Sequence, residues 1–303
     1  SRGECAAMAA TLAAAGTTSA LFTLYPAGVD DFDSCLSAAA VDGVEGVHIE
    51  GPFFHPDAAG GLDSAAAAEE GTHGAFLDLL ERHAPLVRRV TLAPDRPEAR
   101  ELVVGLAALG ITPSFGHTRA TLAECQAAAG EEPCSVTHLF NAMRPFHHRE
   151  PGAPGWTLMG GPAWTEVIAD GIHVGSDALQ IVLRARGLDG LTLISDGLPG
   201  PAPGEDTFRA GGVELVADGA VARVEGSETI AGSLTTLLAQ VRRLIEAGTL
   251  GFEEAFVAAT AAPAAAAGWE GRKGVLAPGA DADLVALDAD LALASVWSAG
   301  LAV

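Results

Sequence analysis

Short apolar segments alternate along the chain with Ala-rich segments whose apolar positions recur at helical spacing. The apolar segments predict seven strands, at Thr18–Tyr25, Val44–Glu50, Val90–Ala93, Ile111–Phe115, Ser135–Leu139, Glu166–Ala169 and Leu191–Ile194. The segments between several of them predict helices at Asp31–Ala40, Gly74–His83, Pro97–Leu109, Thr121–Ala129 and Ser176–Arg186. Continuous apolar strands separated by helices are typical of parallel sheets, so the chain as far as Asp196 is predicted to have an α/β fold.

Two architectures fit this alternation: a (β/α)8 TIM-like barrel that lacks one strand in this sequence, and an open, doubly wound sheet. The doubly wound sheet is disfavoured because no GxGxxG pattern follows the first predicted strand. Arg2–Ala15 is predicted to be an amphipathic helix, so we expect the sequence to start inside the fold. We therefore expect the barrel.

The pattern changes beyond Asp196. Phe208–Val224 alternates apolar and polar residues around Asp218-Gly219, which predicts a hairpin. The rest predicts two helices and then short strands, at Ser233–Ala247, Phe252–Ala259, Leu284–Leu287 and Ala294–Val303. We therefore expect a barrel over residues 1–270 and part of a small β domain over residues 271–303.

Charge and cysteine content exclude several classes of function. The chain has 17 basic and 39 acidic residues, a net charge of −22, which should repel nucleic acid and anionic membranes. No uninterrupted apolar run reaches the ~18 residues of a membrane span. The cysteines Cys5, Cys35, Cys125 and Cys134 show no CxxC spacing, which fits a reducing, cytoplasmic setting.

Residues that carry chemistry follow five of the predicted strands. Each lies at the C-terminal end of its strand, where α/β barrels build their active sites. The residues are Glu50, His117, His138, the pair Asp170 and His173, and Asp196.

One carboxylate and two imidazoles, from Glu50, His117 and His138, would give a divalent ion three protein ligands and leave one position open. A zinc ion in such a site lowers the pKa of its bound water and polarises a carbonyl group. Asp196 could then act as a general base and later protonate a leaving group. The alternative is a buried cluster of hydrogen-bonded polar groups without an ion.

The segment after His138 contains the only asparagine of the chain, Asn141, and two arginines, Arg144 and Arg149. Arginine forks match phosphate and carboxylate groups, so this segment could be an anion-binding loop. It could equally be a surface loop whose arginines pair with Glu150.

Several of these segments closely resemble the N-acetylglucosamine-6-phosphate deacetylases of the amidohydrolase superfamily. The segments that carry the resemblance are Gly46–Phe53 (GVHIEGPF), Gly116–Thr118 (GHT), Val136–Met143 (VTHLFNAM), Ile168–Val174 (IADGIHV) and Ile194–Gly197 (ISDG). The resemblance implies a metal-containing barrel with a small β-sandwich domain. It also implies a hydrolase of amino sugar metabolism that removes acetate from the amino sugar phosphate.

The resemblance implies roles for individual residues. Glu50, His117 and His138 would bind one divalent metal ion, Zn2+ or alternatively Fe2+ or another ion, and Asp196 would be the catalytic acid and base. Arg149 and His173 would hold the phosphate group, and the Arg149 side chain would reach the site of a neighbouring subunit, which implies a homodimer. The residues implied to contact the substrate are Gly61, Leu62, Asn141, Ala142, Arg149, His173 and the predicted turn Ile230, Ala231 and Gly232.

Three departures from the family pattern bear on function. The loop before Leu62 contains Asp57, Ala58 and Ala59 and lacks the basic residue of the family pattern. The first barrel strand, with its pair of polar metal ligands, has no counterpart, so a second metal site is not supported. Leu62 also stands where many members have a histidine that helps to polarise or position the acyl group. We therefore expect slow turnover of N-acetylglucosamine 6-phosphate. The alternatives are another N-acetyl amino sugar, such as N-acetylgalactosamine 6-phosphate, or a non-catalytic relative that binds sugar phosphates.

Overall fold

Seven parallel strands form the main sheet of the protein. The computed structural model describes residues 1–26, 28–41 and 43–303. The strands hydrogen-bond to one another in chain order, each parallel to the next. They are β1 (Leu21–Leu24), β2 (Gly46–Glu50), β3 (Val87–Leu92), β4 (Thr112–Phe115), β5 (Ser135–Val136), β6 (Trp164–Val167) and β7 (Leu191–Leu193).

One helix precedes β1, and one lies in each of the six connections between these strands. They are α1 (Arg2–Ala14), α2 (Val29–Ala39), α3 (His73–His83), α4 (Ala99–Ala108), α5 (Leu122–Ala129), α6 (Gly152–Leu158) and α7 (Ser176–Arg186). Short 3₁₀ turns cover Pro56–Ala58 and Ser64–Ala66. Thr121 and Glu124 form a capping box that starts α5, and Gly130 ends it. In the described ranges, no helix is both long enough and apolar enough to span a bilayer.

The order of the strands decides between the two predicted architectures. A doubly wound sheet would reverse its strand order part-way, whereas this sheet runs from β1 to β7 in sequence. Phe22 of β1 and Leu193 of β7 line the same cavity, so the sheet is curled, with its first and last strands bordering one cavity. The predicted seven parallel strands are confirmed, and closure into an eight-stranded barrel stays a prediction.

The inner face of the curled sheet is polar. A chain of side-chain hydrogen bonds crosses the strands from β1 to β5. It joins Thr23 Oγ1 to His48 Nδ1 (3.1 Å) and His48 Nε2 to Thr91 Oγ1 (2.7 Å). It continues from Thr91 Oγ1 to Thr137 Oγ1 (2.7 Å) and from there to Ser114 Oγ (2.6 Å). These bonds pair the hydroxyl groups of Thr23, Thr91, Ser114 and Thr137 beneath the strand ends.

Another buried polar contact of the interior is an ion pair between Arg89 of β3 and Glu166 of β6. Both residues are buried, with exposed fractions of 4% and 5%. Burial lowers the pKa of Arg89 to about 10. An ion pair at this depth is costly to desolvate, and each partner depends on the other for compensation.

The rest of the chain forms two small antiparallel sheets and three helices. One sheet has the order β11-β10-β9-β8, and the other has the order β12-β13-β14. The strands are β8 (Thr207–Ala210), β9 (Val213–Asp218), β10 (Val221–Val224), β11 (Ile230–Ser233), β12 (Leu284–Leu287), β13 (Leu293–Ser298) and β14 (Leu301–Ala302). The helices are α8 (Leu237–Glu246), α9 (Phe252–Ala259) and α10 (Ala261–Ala266).

The hairpin predicted at Asp218-Gly219 is confirmed as the turn between β9 and β10. The turn predicted at Ile230–Gly232 is wrong, because these residues belong to β11 and pair with β10 around a bulge. The predicted helix from Ser233 starts only at Leu237, because Ser233 ends β11 and the Thr236 side chain caps the helix.

The only lysine of the chain joins the C-terminal segment to the main sheet. Lys273 Nζ lies 2.6 Å from Asp283, 2.9 Å from Asp281 and 3.3 Å from Glu45, a residue that directly precedes β2. The residue is only 6% exposed. The ammonium group is therefore enclosed by three carboxylates.

Candidate metal centre and active site

Three of the predicted metal ligands meet at the C-terminal edge of the sheet. Glu50 is the last residue of β2, and His117 and His138 each lie two residues beyond the ends of β4 and β5. Glu50 Oε1 lies 3.1 Å from His117 Nε2 and 3.2 Å from His138 Nε2, and the two Nε2 atoms are 3.1 Å apart. All three side chains are buried.

In this cluster, more lone pairs face one another than the available hydrogen atoms can neutralise. His117 Nδ1 lies 3.0 Å from the carbonyl oxygen of Ala58, so Nδ1 carries the hydrogen and Nε2 presents a lone pair. That lone pair faces both Glu50 Oε1 and His138 Nε2. A single proton on His138 can neutralise only part of this repulsion, whereas a cation could accept all three lone pairs.

The spacing also suits a cation. Ligands 2.0–2.2 Å from a zinc ion in a tetrahedron are about 3.3–3.5 Å from one another. The observed separations of 3.1–3.2 Å are close to this value. The residues therefore fit a divalent metal ion, with two nitrogen ligands and one oxygen ligand.

The backbone is strained where it presents the site. His117, His138 and Asp196 have φ angles of +47°, +33° and +48°, in the left-handed region that side chains other than glycine rarely adopt. Phe140 and Ala142, in the loop after β5, share this conformation with φ of +78° and +50°. Strain of this kind persists where the surrounding structure over-determines it, and it clusters at functional sites.

Asp196 follows β7 and is held by the strand β11. Its carbonyl oxygen accepts a hydrogen bond from the backbone N–H of Ser233 at 2.9 Å. A Cβ atom on Gly232 would lie 2.9 Å from the same oxygen, so only glycine lets β11 approach this closely. Burial, and then the charge of Glu50, raise the pKa of the Asp196 carboxyl group. The Asp196 carboxyl group therefore holds a proton more readily than a free aspartate does.

The pKa of Glu50 moves the opposite way. Burial alone would raise it, but the close contact with the imidazole rings of His117 and His138 brings it well below its usual value. The two carboxyl groups of the site therefore differ: Glu50 stays ionised, as a metal ligand must, while Asp196 gains affinity for a proton.

A cavity of about 1890 Å³ opens above the cluster and continues between the two sheet edges. It is larger than the ~300–1,000 Å³ of most ligand pockets. The structure brings most of the predicted site residues together around it. Those that line it are Glu50, Gly61, Leu62, His117, His138, Asn141, Ala142, His173, Asp196, Ile230 and Ala231.

Two predicted site residues do not line this cavity. Gly232 lies behind Asp196, as described above. Arg149 is exposed, and its Nη1 lies 3.0 Å from His148 Nε2. Within one chain Arg149 does not reach the cavity, so the prediction that it contacts a substrate requires a second subunit.

Gly61 and Leu62 form one wall of the cavity. A Cβ atom on Gly61 would lie 2.7 Å from Cα of Ala231, so glycine permits contact between this loop and β11. Leu62 is 7% exposed and packs with Phe54 and Ala59. This wall therefore presents an aliphatic side chain to the cavity.

Asn141 and Ala142 stabilise the loop that follows β5. Asn141 Nδ2 donates to the carbonyl oxygens of His138 (3.1 Å) and Leu139 (3.2 Å), and Thr118 N donates to the carbonyl oxygen of Ala142 (3.1 Å). The Asn141 amide thus fixes the turn that carries His138, in addition to lining the cavity.

The sequence analysis missed Tyr25, the only tyrosine of the chain. Tyr25 directly follows β1, lines the cavity and packs against the group formed by Phe54, Ala59 and Leu62. Burial, and then the charges of Glu50 and Asp196, raise the pKa of its hydroxyl group, so the hydroxyl remains a neutral donor. Tyr25 lies at the C-terminal end of a strand, and the same position identified the other candidate site residues, so this signal could have identified Tyr25 as well.

Known proteins are similar to this chain in sequence. The family model described as "Amidohydrolase family" matches residues 2–301. The N-acetylglucosamine-6-phosphate deacetylase of Bos taurus is 39% identical over 265 residues, which are 85% of this chain and 64% of that protein. The protein of the same name from Lysinibacillus sphaericus is 31% identical over 301 residues, 94% of this chain and 75% of that protein. The chain thus spans about two thirds of the length of the bovine relative.

The fold is also similar to that of a solved structure. A mutant N-acetyl-D-glucosamine-6-phosphate deacetylase from Mycobacterium smegmatis, in complex with N-acetyl-D-glucosamine-6-phosphate, superposes with a TM-score of 0.91 at 32% identity. The match covers 99% of this chain and 80% of that one. Together with the cluster of Glu50, His117 and His138, these similarities establish that the chain belongs to the amidohydrolase family and resembles its N-acetylglucosamine-6-phosphate deacetylases.

Proposed function

We propose that this protein hydrolyses the acetamide of N-acetylglucosamine 6-phosphate to glucosamine 6-phosphate and acetate. The observation that carries the proposal is the buried cluster of Glu50, His117 and His138, which shares one cavity with Asp196. An amide hydrolase needs a group that activates water and a group that returns a proton to the leaving amine, and this arrangement offers both.

The metal ion is proposed to be Zn2+, held by Glu50, His117 and His138. A divalent ion there would acidify water and polarise the acetamide carbonyl group. His117 is ready to bind it, because the hydrogen bond from Nδ1 to Ala58 leaves the Nε2 lone pair directed into the cluster.

Asp196 is proposed to move the proton. Its carboxylate takes a proton from the attacking water and delivers it to the amine nitrogen as the C–N bond breaks. The raised pKa suits this role, because a group that gives up its proton too readily is a poor acid. The remaining walls of the cavity, with Asn141, Ala142 and His173, would hold the sugar.

A cytoplasmic location and a homodimer belong to the same proposal. All four cysteines are free, which fits a reducing compartment. The exposure of Arg149 suits a residue that completes the phosphate site of a second subunit. Size-exclusion chromatography with light scattering would measure the dimer directly.

The test measures acetate release from the 6-phosphates of N-acetylglucosamine and N-acetylgalactosamine and from unphosphorylated N-acetylglucosamine, with the Zn2+-loaded protein. Asp196→Asn keeps the size of the side chain and removes the base, so kcat should fall on the order of 100-fold or more. Asp189→Asn is the matched control, because Asp189 is exposed near the opposite end of β7. It should retain the parental rate.

Three results would redirect the proposal. Faster release from the galactosamine derivative would make that sugar the substrate. Binding of sugar phosphates without release of acetate would favour a non-catalytic relative. Full activity in Asp196→Asn would show that another group handles the proton.

A further inference from the structure

Asp170 and His173 form a buried pair beyond the end of β6. Asp170 Oδ2 lies 2.6 Å from His173 Nδ1, and the two side chains are 0% and 3% exposed. The other carboxylate oxygen, Oδ1, accepts the backbone N–H groups of Ile172 at 2.8 Å and of His173 at 2.9 Å. Every hydrogen bond of the Asp170 carboxylate therefore goes to the turn that carries His173.

The turn between the two residues is clamped from α8. Gly171 has a φ of +81°, and a Cβ atom there would lie 2.2 Å from the guanidinium group of Arg243. Arg243 Nη1 donates to the carbonyl oxygen of Ala169 at 3.3 Å, and Nη2 donates to Ser176 Oγ at 2.9 Å. The direction in which Asp170 presents its carboxylate is thus fixed by its surroundings.

The two residues differ in access to the cavity. His173 is among the lining residues and Asp170 is not, so the carboxylate reaches the cavity only through the imidazole. Burial alone would raise the pKa of Asp170, but the hydrogen bonds from His173 and from the backbone lower it. The carboxylate therefore stays ionised and can only accept hydrogen bonds.

A carboxylate on Nδ1 determines the tautomer of the ring. Nδ1 must carry a hydrogen in order to donate to Asp170, so the neutral ring has its lone pair on Nε2. Nε2 is the ring nitrogen left without a partner in the described structure, and it belongs to the side chain that lines the cavity. In the neutral ring Nε2 is therefore a hydrogen-bond acceptor, whereas the opposite tautomer or a doubly protonated ring would present a donor.

We propose that Asp170 is a positioning residue, which fixes His173 with Nε2 directed at the cavity to accept a hydrogen bond from a hydroxyl group of the sugar, instead of holding the phosphate group as the sequence predicts. The inference rests on the proposed function for the identity of the ligand. It adds Asp170, a carboxylate that touches no substrate, to the residues on which substrate binding depends.

The substitution Asp170→Asn tests this role. The side-chain oxygen of asparagine must still accept the backbone N–H groups, so its NH₂ group faces Nδ1 and moves the ring hydrogen to Nε2. The site then offers a donor where the sugar hydroxyl needs an acceptor. KM should rise on the order of 10- to 100-fold, with kcat changed by less than about threefold. Asp177→Asn, at an exposed position of α7, is the matched control and should leave KM unchanged.

Nitrogen-15 NMR of the histidine-labelled, Zn2+-loaded protein measures the tautomer without substrate. The His173 signals are assigned by their loss in His173→Gln. The parent should show a protonated Nδ1 and an unprotonated Nε2, and Asp170→Asn should show the reverse. A parental ring that carries a hydrogen on Nε2, either as the opposite tautomer or as the doubly protonated cation, would overturn the proposal, even if the variant fails to fold.

A double-mutant cycle separates positioning from a general structural effect. In the His173→Gln background, Asp170→Asn should raise KM by less than twofold, because its effect passes through the ring. If Asp170→Asn raises KM in the His173→Gln background by the same factor as in the parent, the proposal is overturned. Since NMR needs no turnover, a parent without deacetylase activity would refute the proposed function while the spectrum still decides the role of Asp170.

Discussion

Binding of a divalent ion to Glu50, His117 and His138 should raise the thermal stability of the protein. The lone pairs of Glu50, His117 and His138 face one another at 3.1–3.2 Å in a buried site, so the folded chain offers a preformed set of ligands. The unfolded chain does not hold these residues together, and an ion that binds the folded form will stabilise it.

The magnitude follows from this linkage. A free Zn2+ concentration about 1,000-fold above the dissociation constant stabilises the folded state by about 4.1 kcal/mol. A protein of this size gains roughly 2 °C in Tm for each kcal/mol, which gives a rise of about 8 °C. In His138→Ala the ion keeps only two of its three ligands, and we expect a rise below about 2 °C together with loss of the bound metal.

Differential scanning calorimetry of metal-free and Zn2+-loaded samples measures the rise, and elemental analysis measures the stoichiometry. His83→Ala is the matched control: this histidine, at the end of α3, contacts Asp33 at 2.9 Å and does not line the cavity. It should retain the parental rise and one ion per chain. An unchanged Tm in the loaded parent, or a full rise in His138→Ala, would refute the assignment of these ligands.

Three further predictions concern the cavity wall, the predicted phosphate site and the interior. Leu62→His should increase kcat/KM for N-acetylglucosamine 6-phosphate by about 100-fold if the aliphatic wall lacks a donor, and steady-state kinetics showing a slower variant of an already fast parent would contradict this. Arg149→Ala should raise KM for the phosphorylated sugar by roughly 10- to 100-fold without affecting the unphosphorylated sugar, and equal losses on both would exclude a phosphate role. Arg89→Met should destabilise the protein by about 3–5 kcal/mol in urea unfolding, because Glu166 is left buried without its partner, whereas Arg89→Met combined with Glu166→Leu should recover most of the loss. Additive losses in that pair would show that the ion pair is not the cause.

The sequence predicted the site better than the boundaries of its elements. Glu50, His117, His138 and Asp196 could be found because parallel strands bring their C-terminal ends to one edge, whichever residue ends the strand. The strand predicted at Ser135–Leu139 ends at Val136, because the backbone turns to present His138 at positive φ. Apolar composition alone carries no signal of that turn.

Contacts distant in sequence explain the other differences. The family resemblance predicts a turn at Ile230–Gly232, whereas the structure pairs these residues with β10, and Gly232 closely approaches Asp196. Tyr25 was counted as the end of a strand, and only the curl of the sheet reveals that it shares the cavity with Glu50. The pairing of Asp170 with His173 depends on hydrogen-bond geometry that residue spacing does not encode.

The enclosure of Lys273 gives the protein a single internal chemical probe. Burial would lower the pKa of its ammonium group, but the hydrogen bonds with Asp283 and Asp281 raise it, so the nitrogen is both protonated and screened. An amine-selective acylating reagent should therefore leave this side chain unmodified in the native protein and react with it once the C-terminal segment detaches from Glu45. No other lysine competes for the reagent. Mass spectrometry of one peptide would then report how often this end of the molecule opens under native conditions.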